Sequence, residues 1–387
     1  MILVQTLFIS GVKIINANEK EYIADILVED GKIRKIGSSL RLKADKEIDG
    51  SGKILFPGYI DMHIHGSAGK DTMDATTESL HIIARSLVKE GTTSFLATTM
   101  TQEQQAIKSA LKNIAHFESA ENEAEVIGIH VEGPYISKKC AGAQPVEHII
   151  PPSIDQFTQW QRLSGYKIKE ITVAPEVNGG FEFVEALAKE SVVISIGHSD
   201  ATIEEVEKAI SLGVKQVTHL YNKMRPFHHR ELGVVGGVLL SENVKVELIV
   251  DFIHVHPRAV DFTYRVKGAN NIILITDAMR AKGEPNGHYD LGGQLVHLTP
   301  KGAYLPNGSL AGSVLTMDLA VRNMRKATNC TLQELVAMSS TNACKQMGIT
   351  SKGHIAEGLD ADFVLLDQKL YVQKTIRQGK IVFDNSL

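Results

Sequence analysis

The 387-residue sequence contains few cysteines and no cysteine pair at a diagnostic spacing. Cys140, Cys330 and Cys344 match neither a disulfide framework nor a zinc-binding pattern, so we expect free thiols in a reducing, cytoplasmic environment. Hydrophobic residues at 43% and charged residues at 22% are ordinary for a globular protein. A chain of this length can bury a large core in one domain or in two.

An excess of one charge is also missing. The net charge is -4, the isoelectric point is near 6.4, and no dense basic run occurs, so the sequence does not indicate nucleic-acid binding. The apolar N-terminus MILVQTLFISGVKII has no basic leader and no small-residue cleavage site. Gln5 and Lys13 interrupt its apolar residues, which favours a strand over a signal peptide or a membrane span.

Two common catalytic signatures are absent from the sequence. The segment AGS after Leu310 is not a G-x-S-x-G nucleophile elbow, and no glycine-rich dinucleotide turn follows the first long apolar run. The second absence argues against a doubly wound dinucleotide-binding sheet.

Both chain ends alternate short β-rich runs with turns. Asp30-Gly31 separates two alternating runs, which is a strong hairpin signal, and the same texture returns after Lys352. Residues 1–55 and 352–387 therefore predict one small β-sandwich domain built from both ends. Between them, in residues 56–351, eight apolar β-rich runs alternate with helical patterns, which predicts a parallel (β/α)8 TIM-like barrel.

Polar residues that can bind metal occupy the ends of five predicted barrel strands, where catalytic groups of this fold lie. Side chains alternate along a strand, so the imidazoles of His63 and His65 in GYIDMHIHG share one face, roughly 6–7 Å apart. An H-x-H pair alone is weak support for metal, but such residues at five strand ends are hard to explain as unrelated core histidines. The residues are His63, His65, Glu132, His198, His219 and Asp277.

Neutral imidazoles and carboxylates are suitable ligands for one or two divalent ions, with zinc or iron expected. Glu132 can bridge two ions or anchor one, with His198 and His219 completing one site. His63 and His65 supply a second site. Asp277 can move the proton that a hydrolase must transfer, although an additional ligand or a helix cap is the alternative role.

The motifs PGYIDMHIHG, HVEGPYIS, IGHSDA, THLYNKM and ITDAM, in this order, resemble those of the amidohydrolase superfamily, and within it the deacetylases of amino-sugar phosphates. The resemblance covers the whole chain. It implies removal of acetate from N-acetyl-D-glucosamine 6-phosphate by a homodimer, with Glu132, His198 and His219 as ligands of the principal metal and Asp277 as the general acid/base. Relatives without the His63 and His65 pair use a single metal, so its presence here implies two.

The same resemblance implies the positions that contact the substrate. Arg230 falls on the phosphate-binding arginine, which in relatives reaches the site of the neighbouring subunit. Gln144 stands where single-metal relatives tend to carry histidine. The predicted substrate-binding residues are Ala143, Gln144, Asn222, Lys223, Arg230, His254, Leu310, Ala311 and Gly312.

The sequence leaves three alternatives to consider. The galactosamine epimer differs from the glucosamine substrate in one hydroxyl orientation, which a sequence does not show. A cyclic amidase of the same superfamily often uses a carboxylated lysine as bridging ligand, whereas Glu132 stands there. A non-catalytic scaffold would be expected to have lost ligands that this chain retains.

Overall fold

A computed structural model describes residues 5–40 and 42–386 of the chain. Its strands form two eight-stranded sheets, one three-stranded sheet and one two-stranded hairpin. In chain order the strands are β1 Thr6–Ile14, β2 Tyr22–Glu29, β3 Lys32–Gly37, β4 Lys46–Asp49, β5 Ile54–Pro57, β6 Tyr59–Ile64, β7 Gly66–Ser67, β8 Lys70–Asp71, β9 Thr92–Thr99, β10 Glu125–Glu132, β11 Ile168–Val173, β12 Val193–Ile196, β13 Gln216–Val217, β14 Lys245–Ile249, β15 Ile272–Ile275, β16 Gly287–Leu291, β17 Gln294–Thr299, β18 Gly302–Tyr304, β19 Phe363–Leu366, β20 Val372–Arg377 and β21 Lys380–Asp384.

The helices carry the capping signals visible in the sequence. The Thr202 side chain caps α5, which stops at Gly213, and Thr76 caps α1. α2 differs, because Glu103 precedes it and makes no capping bond. The helices are α1 Thr77–Leu87, α2 Gln104–His116, α3 Ile154–Leu163, α4 Gly180–Leu187, α5 Ile203–Leu212, α6 Gly233–Leu240, α7 Pro257–Lys267, α8 Met317–Thr328, α9 Leu332–Val336 and α10 Asn342–Met347.

The predicted barrel is confirmed. Its eight parallel strands run in the order β6-β9-β10-β11-β12-β13-β14-β15, each hydrogen-bonded to the next. The first and last strands meet through backbone bonds, from the Asp277 N–H to the His63 carbonyl at 2.8 Å and from the His65 N–H to the Ala278 carbonyl at 2.9 Å. These bonds bring the ends of β6 and β15 together and close the barrel there.

The second eight-stranded sheet contains strands from both chain ends, as predicted. Its order is β21-β20-β19-β5-β1-β2-β3, with β4 on β1. Val364 and Leu366 of β19 pack into the core shared with the barrel helices, whereas Phe363 and Leu365 pack into a separate core with β1. The domain boundaries near residues 55 and 352 remain predictions. Residues 1–4, 41 and 387, which belong to the predicted small β domain, lie outside the described residues.

The sequence did not indicate the antiparallel sheet β16-β17-β18, which lies between β15 and α8. Leu291 and Val296 from this sheet pack against Met100 and Met279 beside the carboxyl end of the barrel. In the described part of the chain, none of the helices combines the length and the apolar character that a membrane crossing requires.

Candidate metal centre and active site

The predicted metal-binding residues all lie at the carboxyl end of the barrel. His63 lies on β6 and His65 directly follows that strand. Both side chains are on its inner face, with ring centroids 5.3 Å apart. Ile60, Met62 and Ile64 alternate with them and belong to the core outside the barrel. The remaining members, Glu132, His198, His219 and Asp277, end or closely follow β10, β12, β13 and β15.

Three of these residues adopt left-handed backbone conformations that non-glycine residues rarely occupy. The φ angles are 47° at His198, 31° at His219 and 49° at Asp277. Each residue lies where a barrel strand turns into its loop. Conformations of this kind cost free energy and concentrate at functional sites, because the surrounding structure must hold them in place.

The first donor group consists of Glu132, His198 and His219. Glu132 Oε1 lies 3.2 Å from His198 Nε2 and 3.0 Å from His219 Nε2, and the two nitrogens are 3.1 Å apart. Two donor atoms that each lie about 2.0–2.1 Å from the same ion are about 2.9 Å apart in octahedral geometry and about 3.4 Å apart in tetrahedral geometry. The three atoms therefore have the spacing that one ion requires.

The second donor group lies on the other side of Glu132. His65 Nε2 is 3.2 Å from Glu132 Oε2 and 3.4 Å from Asp277 Oδ1. His63 Nε2 is 3.4 Å from Glu132 Oε1 and 3.5 Å from Asp277 Oδ1. This nitrogen is fully buried and has no hydrogen-bond partner among the described residues. An ion would satisfy it, so the residues present fit a second ion with Glu132 shared between the two.

The electrostatics of the site reflect this convergence of carboxylates and imidazoles. Burial lowers the pKa of His63, but Glu132, Asp277 and Glu247 outweigh it and raise that pKa well above its ordinary value. Burial is likewise outweighed at His65, where bonds to Asp277 and Glu132 raise the pKa to about 9. Burial raises the pKa of Asp277, yet the neighbouring His63 and His65 hold it below its usual range. The carboxylates thus remain anionic and attract positive charge to the centre.

Side chains and backbone around the donor groups fix their orientation. His198 Nδ1 contacts the Cys140 carbonyl at 2.8 Å, which leaves Nε2 facing Glu132. The Gln144 side chain donates to Glu132 Oε2 at 2.6 Å and accepts from the Thr101 N–H at 2.7 Å. Gln144 therefore holds Glu132 in place at the edge of the pocket.

A pocket of about 490 Å³, including its open mouth, lies directly above the donor groups. This volume is within the range of small-molecule sites. Most predicted substrate-binding residues line it, namely Ala143, Gln144, Asn222, Lys223, His254, Leu310 and Gly312.

Two predicted substrate-binding residues lie elsewhere. Ala311 is fully buried and its N–H bonds to the Ala303 carbonyl at 3.1 Å, so neither its side chain nor this N–H faces the pocket. Arg230 is exposed and does not line the pocket of its own chain. Its guanidinium contacts His229 Nε2 at 2.8 Å.

Sequence reasoning missed four residues around the site. Met100 and Leu291 line the pocket, Asp251 bonds His254 Nδ1 at 2.6 Å, and Glu247 bonds His63 Nδ1 at 3.0 Å. Glu247 left a signal, because a carboxylate interrupts the apolar run VELIV of a predicted inner strand. Met100 and Leu291 left no such signal in the sequence, because apolar residues are common throughout the core.

Comparisons with known proteins show which family this chain resembles over nearly its whole length. A family model described as "Amidohydrolase family" matches residues 54–382. The sequence is 55% identical to N-acetylglucosamine-6-phosphate deacetylase of Lysinibacillus sphaericus over 97% of both chains, and 43% identical to that of Bacillus subtilis (strain 168) over 98% of both. The crystal structure of N-acetylglucosamine-6-phosphate deacetylase from Thermotoga maritima superposes with a TM-score of 0.89 at 37% identity, over 98% of this chain and 100% of that one.

Proposed function

This chain belongs to the amidohydrolase family, and we infer that it removes acetate from N-acetyl-D-glucosamine 6-phosphate to leave D-glucosamine 6-phosphate. The observation that carries this conclusion is the convergence of six buried donors on two adjoining positions beneath an open pocket. Near-complete alignment with deacetylases named for that substrate supports the reaction. Glu132 at the shared position argues against a cyclic amidase, and the full donor set argues against a scaffold.

We assign Glu132, His198 and His219 to one divalent ion, and His63 and His65 with Glu132 to a second. Imidazole and carboxylate donors suit zinc or iron. A divalent ion held by these donors supplies Lewis acidity, which makes water a stronger nucleophile at neutral pH and a carbonyl a better electrophile.

Asp277 performs the proton transfers in this proposal. Its lowered pKa keeps it ionised at neutral pH, so it can accept a proton from the attacking water. As the carbon–oxygen bond to the acetyl carbon forms and the carbon–nitrogen bond breaks, the same carboxyl returns that proton to the departing amine. Acetate and the amino sugar phosphate are the products, and Asp277 ends ionised again.

The pocket lining orients the sugar. Asp251 binds His254 through Nδ1, which leaves the second ring nitrogen to contact a sugar hydroxyl or the phosphate. Lys223 adds a cation at the pocket wall. Because Arg230 does not line the pocket of its own chain, we propose that it binds the phosphate in the site of a neighbouring subunit, so that the working form is a homodimer.

We also propose that the enzyme acts in the cytoplasm. Its three cysteines are free, two of them buried, which suits a reducing compartment.

An acetate-release assay on metal-analysed protein tests the proposed function. We expect turnover of N-acetylglucosamine 6-phosphate well above that of N-acetylgalactosamine 6-phosphate, and loss of turnover when a chelator removes the metal. A preference for the galacto epimer would replace the substrate assignment. No acetate release from either sugar phosphate by metal-loaded protein would overturn the activity itself.

A further inference from the structure

Glu247 lies on β14, inside the barrel, one layer below the donor groups. Its side chain is fully buried and its Oε2 accepts two bonds, from His63 Nδ1 at 3.0 Å and from the His219 backbone N–H at 3.2 Å. One carboxylate oxygen therefore contacts a member of each donor group. The three residues come from three different strands of the barrel, so only the folded barrel brings them together.

The contact with His63 determines which ring nitrogen is free. A neutral imidazole carries its proton on one nitrogen and a lone pair on the other. With Glu247 accepting from Nδ1–H, the lone pair lies on Nε2, the buried nitrogen that faces Glu132 and Asp277 and has no hydrogen-bond partner in the described part of the chain. Carboxylate bonds of this kind to ligating histidines fix both tautomer and ring orientation.

A second set of bonds anchors Glu247 itself. Gln216 Nε2 donates to Glu247 Oε1 at 2.9 Å and to Glu170 Oε1 at 2.5 Å. Glu170 is equally buried but contacts neither His63 nor His219 through a hydrogen bond in the described structure. Glu247 alone of these two carboxylates reaches the donor groups directly.

We propose that Glu247 is a positioning residue that holds His63 ready to ligate the second ion and steadies the backbone of His219 beside the first. It touches neither substrate nor ion. The proposal rests on the proposed metal sites and extends them to a carboxylate beneath the barrel mouth.

Glu247→Met tests this role, because methionine has similar length and offers no acceptor to Nδ1–H. Metal-free protein is titrated with Zn²⁺ alone, and the number of ions and their dissociation constants are measured. Losing such a supporting contact typically weakens metal binding by about 10–100-fold. We expect this loss of affinity for the second ion. The loss for the first ion should be smaller, because Glu247 does not bond the ring of His198 or His219.

Glu123→Met is the matched control, since it makes the same change at a buried carboxylate that bonds a histidine outside the site, His81 Nδ1 at 2.8 Å. It should bind both ions within about threefold of the wild type. Equal losses in the two variants, or unchanged affinities in Glu247→Met, would overturn the proposal. If Glu247→Met does not fold, Glu247→Asp keeps the charge but is one methylene too short to reach His63. It should show the same selective loss, and wild-type affinities in it would overturn the proposal.

A double variant separates action through His63 from a general disturbance. His63→Ala removes the ligand, so adding Glu247→Met to it should cost the second ion nothing further. A further loss of about tenfold would contradict the proposed route. Failure of the proposed function is distinguishable, because wild-type protein would then bind no ion or release no acetate. A wild-type protein that takes up a single ion, with unchanged affinity in Glu247→Met, would overturn the positioning role alone.

Discussion

Two buried clusters of ionisable side chains differ in the origin of their central positive charge. In the Lys352 cluster, the Lys352 ammonium lies 2.5 Å from Asp362, 2.9 Å from Glu125 and 3.4 Å from Asp360. The chain itself supplies the cation, and the three carboxylates surround it. In the Glu132 cluster, formed by His63, His65, Glu132, His198, His219 and Asp277, donor atoms also converge, but among the described residues only histidines form ion pairs with Glu132 and Asp277.

This difference separates a structural ion cluster from a ligand site. Buried charges are tolerated when they are paired, so the Lys352 cluster is complete and joins β10 of the barrel to the loop that precedes β19. In the Glu132 cluster the carboxylates raise the pKa of His63 and His65, so protons on those rings balance the charge until a divalent ion replaces them. We therefore expect substitutions in the first cluster to affect stability and substitutions in the second to affect metal content and turnover.

The largest effect is expected from His198→Ala or His219→Ala. Each removes one of the three donors that surround the first ion, so metal content and turnover should fall together, by more than about 10⁴-fold for turnover if metal contributes several kcal/mol. Elemental analysis and acetate release measure both quantities. His81→Ala is the control, because His81 bonds Glu123 outside the site at 2.8 Å and should keep both. Full metal content in the His198 and His219 variants would refute their assignment as ligands.

Asp277→Asn should reduce turnover by about 10²–10⁴-fold, because an amide of the same shape cannot shuttle the proton. The ion held by Glu132, His198 and His219 should remain, since Asp277 is not among those donors. Turnover is measured on samples of known metal content, which separates proton transfer from metal loss. Near-native turnover would assign the proton transfer to another group.

Lys352→Met should act on stability instead. It leaves Asp362 buried without its cation, and breaking a buried pair in this way costs about 3–5 kcal/mol of unfolding free energy. Denaturant unfolding of the metal-free protein measures the loss, while turnover per folded, metal-loaded molecule should not change.

The same cluster provides a control for burial. Lys32 contacts Asp360 at 2.5 Å, but the lysine side chain is 53% exposed. Lys32→Met should therefore cost less than about 1 kcal/mol. Equal losses of unfolding free energy in the Lys32 and Lys352 variants would show that burial does not determine how much each ion pair contributes to stability.

The local signals in the sequence were sufficient for the barrel and for the convergence of the six candidate donors at one of its ends. Strand alternation placed His63 and His65 on one face, and the carboxyl ends of parallel strands meet at the same end of a barrel. Other features depend on contacts between distant parts of the chain. His63 and Glu247 are 184 residues apart, and Asn16 bonds the Ile355 carbonyl across 339 residues. Such pairings exist only once the barrel has closed and the chain ends have met.

Backbone geometry accounts for the remaining difference at Ala311. The resemblance placed Leu310, Ala311 and Gly312 at substrate-contacting positions, with some of those contacts made by the backbone. The chain turns at Gly312, where φ is 60°, and the Ala311 side chain packs into the core beneath it. Nothing in three consecutive small or apolar residues shows which of them faces inward.

Arg230 is an exposed cation at the surface of the chain. Among the described residues no carboxylate lies within ion-pair distance of it, whereas Arg225 pairs with Asp200 at 3.1 Å. We expect the substrate phosphate to be its anion, because the resemblance places Arg230 at the phosphate-binding position and a guanidinium bonds phosphate through paired donors. Arg230→Ala should spare metal content and lower kcat/KM for the phosphorylated substrate by about 10–100-fold, the worth of one charge-assisted bonding pair. Activity on unphosphorylated N-acetylglucosamine should barely change, and an equal fall on both substrates would contradict phosphate binding.

Mixing subunits shows whose phosphate Arg230 binds. An equal mixture of Arg230→Ala and Asp277→Asn chains contains about half mixed dimers if the subunits exchange freely. If the arginine serves the neighbouring site, each mixed dimer has one site with intact Asp277 that receives Arg230 from the other chain. Activity should then rise to about a quarter of the wild-type value, above either variant alone. If Arg230 serves its own subunit, no site in the mixture is intact, and the activity stays at the average of the two separate variants.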